Sequence, residues 1–288
     1  MLTPALIRDA VQRALEEDAP WGDITSTQVL PESANATASL VPREPGVFAG
    51  GAVFVEAFRL VDPRIEARLH AEDGETFAPG AQLAVVDGPA RAVLTGERVA
   101  LNFVQRMSGV ATLTARYVSA IAGTRARIVD TRKTTPGLRA FERHAVVAGG
   151  GRNHRFGLSD AVMLKDNHLA VLAGAGADLP EALRALRERI GHTVRIEVEV
   201  DRIDQIPTVL AGGVDVILLD NFSIEDLTRG VELIAGAAIV EASGGVSLET
   251  VAAIAATGVD VISVGALTHS AAALDLGLDI DLGGSARP

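Results

Sequence analysis

The 288-residue chain has no cysteine, one tryptophan, one tyrosine and only two lysines. Without cysteine there is no disulfide, no thiolate nucleophile and no Cys-based zinc or iron–sulfur site. Long apolar runs are also missing. The longest stretch free of Asp, Glu, Lys and Arg, Val261 to Leu274, has 14 residues and contains His269, too short to span a bilayer. The N-terminal MLTPALIRDAVQRALEED is amphipathic and charged and lacks the apolar core of a signal peptide, so a soluble, cytoplasmic protein is expected. Positive charge is in deficit. The net charge of −11 argues against an extended nucleic-acid surface. With 48% hydrophobic and 22% charged residues the chain can bury a full core, in two ordinary domains or one barrel with an appendage.

The charge is unevenly placed. Between Arg125 and His168 nine Lys or Arg face four acids, a local +5, and three of the six histidines (His144, His154, His168) fall there. A basic segment in an acidic protein points to a pocket for a small polyanion. Both lysines, Lys133 and Lys165, lie in it, although 24 other basic positions are Arg. Lysine is a compact point charge with a tunable pKa, which arginine does not imitate.

Periodicity divides the chain in two. A helix is expected over Leu6–Glu17, then the turn-rich PWGDITS, then short β-like runs (ATASLVP, GVFAG, RIEARLH, QLAVV, RAVL) with a helix at Phe54–Leu60. This reads as a separate α+β layer. Thr95–Ala122 reads as one long helix with an apolar stripe (Val99, Phe103, Met107, Val110, Val118, Ile121) and a polar face of Arg98, Asn102, Arg106 and Gly109. From Arg127 onward strands alternate with loops and helices: RIVDT, AVMLK, VRIEVEV, VDVILLD, AIVEAS and VDVISVG. Pro180–Ile190 reads as a helix, Ser223 and Ser247 as N-caps, and Gly258 as a helix stop. Repeated βα units imply a parallel sheet, closed or nearly closed into a barrel. A doubly wound sheet competes, but its Gly-rich loop after the first strand is missing.

Barrels place chemistry at the C-terminal ends of their strands. Here those ends carry Asp130–Lys133, Lys165, Glu197 and Glu199, Asp220, Glu241 and Ser243, and Gly265. In VRIEVEV the apolar residues alternate with Glu197 and Glu199, so both carboxylates point one way. Burying them is costly unless cations or a metal answer them; a wet edge strand is the other reading. The loops SGG (Ser243–Gly245) and VGAL (Val264–Leu267) follow the last two strands, where backbone amides commonly cradle a phosphate. Arg132, Lys133, His154, Arg155 and Lys165 supply cations suited to carboxylates.

The motifs EDAPWGDITS, ERVALNFVQRMSGVAT, DTRKTTPGLR, GGGRNHRFGLSDAVMLKDNH, EVEVD, ILLDN, EASGGVSLETV and VGALTHS run almost end to end. With them the chain resembles the quinolinate phosphoribosyltransferase (carboxylating nicotinate-nucleotide pyrophosphorylase) family. One departure is ERHAV where EKYAV is expected, which places His144 in the position of a tyrosine. The resemblance implies an N-terminal α+β sandwich-like domain with an incomplete, open α/β barrel of parallel strands. It sets 1–112 against 113–288, with the boundary inside helix 95–122 and room for the C-terminal end to pack back. It implies transfer of phosphoribose from 5-phosphoribosyl-1-pyrophosphate (PRPP) to quinolinate, giving nicotinate mononucleotide, pyrophosphate and CO2 in NAD biosynthesis. Mg2+ is the implied cofactor. The implied assembly is a homodimer with shared active sites, with room for a higher oligomer of dimers, and neither nucleic acid nor membrane is an implied partner. By position, Arg106 would reach the neighbour's quinolinate, with Arg132, His154 and Arg155 completing the dicarboxylate pocket and Thr131 among the substrate-binding residues. Lys133 and Lys165 would face substrate anions and pyrophosphate. Glu199 and Asp220 would hold ribose hydroxyls and Mg2+, directly or through water or substrate. Ser243, Gly244 and Gly245, with Val264, Gly265 and Ala266, would cradle the 5′-phosphate.

Three alternatives stand beside this. They are a related pyrophosphorylase-like protein of a molybdenum-transport operon, a Schiff-base aldolase using Lys165, and a non-catalytic phosphate-binding barrel.

Overall fold

A computed structural model describes residues 2–281. In chain order the elements begin with α1 (Pro4–Asp18), α2 (Ile24–Val29), β1 (Asn35–Pro42), β2 (Gly46–Val47) and α3 (Gly51–Val61). Next come β3 (Glu66–Leu69), β4 (Thr76–Phe77), β5 (Ala84–Pro89), α4 (Ala90–Ala120), β6 (Arg127–Val129) and α5 (Arg139–Ala148). Then follow β7 (Val162–Leu164), α6 (Asp166–Gly174), α7 (Leu179–Arg189), β8 (Ile196–Val200), α8 (Ile206–Leu210) and β9 (Val216–Asp220). The last are α9 (Ile224–Ile234), β10 (Ile239–Ser243), α10 (Val251–Ala256), β11 (Val261–Ser263), α11 (Ala266–His269) and β12 (Leu276–Asp281). They form two compact units, one of residues 2–115, 135–150 and 270–281, the other of residues 116–134 and 151–269.

The first unit is built on an antiparallel sheet ordered β12-β1-β5-β3. Ala38 and Leu40 of β1 and Ala84 and Val86 of β5 put a period-2 apolar face into its core, where Phe54 and Phe58 of α3 also lie fully buried. Thr3 caps α1 by accepting the Leu6 amide, with Pro4 at the first helical position. The β-like reading of RAVL is corrected: residues 91–94 are the first turns of α4. Val93 is buried on the helical stripe with Ala100, Val104, Met107 and Ala111, so packing at helical spacing overrides the local β-propensity. Gly109, placed by spacing on the polar face, packs instead against backbone. It is buried, and a side chain there would collide with the carbonyl of Ala272.

The second unit is a six-stranded parallel sheet ordered β6-β11-β10-β9-β8-β7. From β7 to β11 each strand lies beside the next in sequence, with no reversal of order, which excludes the doubly wound alternative. β6 and β7 follow one another in sequence yet occupy opposite edges, the arrangement of an open barrel. Arg152 partly fills the seam through a parallel bridge to Val129. Strands are shorter than the apolar runs suggested, because flanking residues serve the ends. At the N-terminal ends Asp215 accepts the Ile196 amide and Asp260 the Val240 amide. A cavity of about 820 Å³ at that end is lined by these ties and by Arg125, Arg187 and Arg195, and it belongs to the structural face of the sheet. Ser223 caps α9, accepting the Asp226 amide, and Gly258 follows α10 at φ +90. Ser247, in contrast, opens a turn, and Thr250 is the cap of α10.

Candidate active site

At the C-terminal ends of the parallel strands a cavity of about 560 Å³ opens, within the range that holds a small-molecule ligand. Its walls include Thr131, Arg132 and Lys133 after β6, His154 and Arg155, Lys165 after β7, and Glu199 of β8. Asp220 of β9 and Ser243, Gly244 and Gly245 after β10 complete the candidates brought together there.

The charges sort into two groups. On one wall the Lys165 ammonium lies 2.7 Å from Glu199 Oε2. Asp220 is close enough to feel Glu199. Burial first, then the Glu199 charge, raises the Asp220 carboxyl, while the Asn221 amide, Lys165 and Lys133 oppose the rise. Lys133 is fixed through its backbone. Its amide donates to Thr131 Oγ1 (3.1 Å) and its carbonyl accepts the Thr268 hydroxyl (2.7 Å).

On the other wall stand Arg132 and Arg155. Arg155 reaches the Ala161 carbonyl and Met163 Sδ. Burial, then the neighbouring Arg132, lowers the Arg155 guanidinium, while Glu197 and Asp160 oppose this. Arg132 Nε is buried and has no hydrogen-bond partner among the described residues. Two crowded guanidinium groups suit an anion that carries adjacent carboxylates.

Below them His154 joins three strands. Its amide donates to Asp130 Oδ1 (2.7 Å), and Nε2 lies 3.3 Å from Glu197 Oε2 on β8 and 3.4 Å from Glu241 Oε1 on β10. Burial opposes the charged ring, but the two glutamates outweigh it and push its pKa up to about 10. Glu197 is itself raised, chiefly by burial. The three side chains have the spacing of a metal cluster. However, Nε2 faces both carboxylates, so it donates a proton to them rather than acting as a metal ligand.

Four candidates lie elsewhere. The Val264 amide is used by the Val129 carbonyl, and neither it, Gly265 nor Ala266 lines this cavity. Gly265 adjoins Lys133, since a β-carbon there would sit 3.2 Å from Lys133 Cδ and 3.1 Å from His269 Nε2. Arg106 belongs to the other unit, where it donates to the Ala271 carbonyl (2.7 Å) and to the buried Glu142 (2.8 Å). There too His144 lies 2.6 Å from Asp73 Oδ2, and Asp73 Oδ1 accepts the Gly50 and Gly51 amides that open α3. The sequence reading passed over Asn221 as a site residue and left Glu197 and Glu241 without a role. Alternation in EVEV and the motif EASGG were the available signals for the glutamates; for Asn221 there was only its place after a strand-end acid.

The fold and site together define a βα-barrel enzyme with an anion pocket at the strand ends. The family model for the N-terminal domain of quinolinate phosphoribosyl transferase matches residues 23–108, and that for the C-terminal domain matches residues 110–279. A protein of Mycobacterium leprae named nicotinate-nucleotide pyrophosphorylase [carboxylating] is 45% identical over 281 residues, 95% of this chain and 96% of its own. A Bacillus subtilis protein named as a probable enzyme of the same kind is 44% identical over 266 residues, 92% of this chain and 90% of its own. The crystal structure of NadC from Streptococcus pyogenes superposes with a TM-score of 0.92 at 40% identity, covering 98% of each chain. The chain belongs to the quinolinate phosphoribosyltransferase family.

Proposed function

We propose that the protein transfers phosphoribose from PRPP to the ring nitrogen of quinolinate, releasing pyrophosphate and CO2 and forming nicotinate mononucleotide for NAD biosynthesis. The observation that carries this is the two-walled cavity. A guanidinium pair suits adjacent carboxylates, and a Lys–Glu–Asp wall beside a glycine loop suits a ribose carrying phosphate and pyrophosphate. The related molybdenum-operon reading lacks a reason for the guanidinium pair. Lys165 is ion-paired to Glu199, whereas an aldolase lysine must present a free amine. A simple phosphate binder has no use for Glu199 and Asp220.

Arg132, Arg155 and Thr131 orient the dicarboxylate so that its ring nitrogen faces C1 of the ribose. As the bond from C1 to the pyrophosphate oxygen lengthens, positive charge grows on the ribose ring, and Glu199 and Asp220 stabilise it. Lys133 and Lys165 meet the charge accumulating on the pyrophosphate. The nitrogen lone pair then closes on C1. In the second step the bond from C2 to its carboxylate breaks, CO2 leaves, the electron pair stays at C2 beside the cationic nitrogen, and a proton replaces the carboxylate. Ser243–Gly245 hold the 5′-phosphate through backbone amides.

Glu199 and Asp220 fit Mg2+. They are hard oxygen donors near the ends of neighbouring strands that line one cavity. Mg2+ held there would supply charge neutralisation to the diphosphate. The working assembly is a homodimer in the cytoplasm in which Arg106 serves the partner's site. Purified protein given Mg2+, PRPP and quinolinate should form nicotinate mononucleotide, and nicotinate in place of quinolinate should give none. Product from nicotinate but not from quinolinate would overturn the assignment.

A further inference from the structure

Asn221 follows β9 directly and adopts φ +57, in the left-handed region that side-chain-bearing residues seldom enter. Three of its atoms are engaged with three different parts of the site. Its amide nitrogen donates to the Ser243 carbonyl (2.9 Å), tying the end of β9 to the end of β10. Its side-chain Nδ2 donates to Asp220 Oδ2 (2.7 Å). A carboxylate only accepts, so the nitrogen must face Asp220 and the oxygen must face the other way. That oxygen lies against Gly244, at φ +87, where any β-carbon would collide with the Asn221 side chain and come within 2.9 Å of its backbone nitrogen.

If backbone shape alone mattered at 221, glycine would satisfy it at no steric cost. Asparagine keeps the turn and adds an arm that reaches Asp220. We propose that Asn221 is a positioning residue that locks Asp220 to the Ser243–Gly245 loop, so that the ribose-facing acid and the phosphate-holding glycines act on the phosphoribosyl group as one rigid unit. Arg132 and Arg155 stand on the other wall of the cavity. The inference rests on the phosphoribosyl-transfer reading above.

The test is Asn221→Gly, which preserves the turn and removes only the arm. The variant should keep its melting temperature. The loss of one hydrogen bond to a charged group should raise the KM for PRPP about tenfold or more while the KM for quinolinate stays within about twofold. Calorimetric binding, free of turnover, should show the same split: weaker ribose 5-phosphate, unchanged benzene-1,2-dicarboxylate. Asn221→Asp, which sets two carboxylates face to face, should be worse than Asn221→Gly. Unchanged ribose 5-phosphate binding in Asn221→Gly, or equal losses for both ligands, would overturn the proposal. Wild-type protein that binds ribose 5-phosphate but turns over no quinolinate would refute the reaction assignment instead, and the binding comparison would still decide the role of Asn221.

Discussion

Replacing His154 by alanine removes the imidazole that lies between Glu197 and Glu241, whose side chains are about 95% buried. Raising the ring from 6.5 to about 10 corresponds to roughly 5 kcal/mol favouring its protonated form. Breaking a buried charge cluster by deleting one partner costs on the order of 3–5 kcal/mol, in line with that figure. For a chain of this size such a loss is a fall in melting temperature on the order of 10 °C at neutral pH. The pH dependence is the sharper signature. In the wild type a folded pKa above the unfolded one gives stability that is complete below 6.5 and lost as pH rises through about 10. In the variant the raised Glu197 relieves the strain by taking a proton as pH falls, since a raised carboxyl disfavours the fold only above its unfolded value. The stability gap should therefore be widest near pH 6–7 and close on both sides. Melting curves of wild type and His154→Ala from pH 4.5 to 10 read it directly. A gap that is flat with pH, or widest at pH 10, would refute the cluster's role.

Other outcomes follow from the same geometry. Lys133→Ala should fold normally, with its backbone still held by Thr131 and Thr268, and lose turnover by orders of magnitude; near-normal kcat would remove it from the chemistry. Mixing Arg106→Ala with Lys165→Ala and allowing subunit exchange should restore about a quarter of wild-type activity if two-fold dimers share their sites. No recovery would refute sharing. Gly244→Ala should abolish PRPP binding while leaving dicarboxylate binding intact, measured by calorimetry, because its β-carbon displaces Asn221. Burial opposes ionisation of Asp73, but the His144 and Gly50–Gly51 hydrogen bonds outweigh it and lower its pKa. Asp73→Asn should thus cost stability at neutral pH, and the cost should vanish as acid reaches the lowered carboxyl. His144→Phe should reproduce part of the neutral-pH loss in a melting assay.

Much of the fold was legible because both units follow simple periodicities. Alternation in IEVEV and the near-continuous apolar run of VILLD point to parallel strands with polar residues at their ends. What escaped was set by contacts distant in sequence. RAVL reads as a strand by composition and becomes helix because Val93 joins the buried stripe that runs on through Ala100, Val104, Met107 and Ala111. Gly109 reads as polar-face by spacing alone, since nothing local reveals the carbonyl of Ala272 above it. Within the site, charge and strand-end position picked out Lys133, Lys165, Glu199 and Asp220 as candidates. Asn221 carries no charge, and its left-handed backbone is visible only in three dimensions. Glu197 and Glu241 were recognisable as acids at strand ends, yet their joint hold on His154 depends on strands two apart in the sheet.

The central claim is that this cavity couples phosphoribosyl transfer to loss of one specific carboxylate. Quinolinate labelled in its 2-carboxylate, incubated with PRPP and Mg2+ under single-turnover conditions, tests it most directly. The account predicts one labelled CO2 for each nicotinate mononucleotide, with no CO2 when PRPP is omitted. CO2 released without nucleotide, or nucleotide that retains the label, would contradict it.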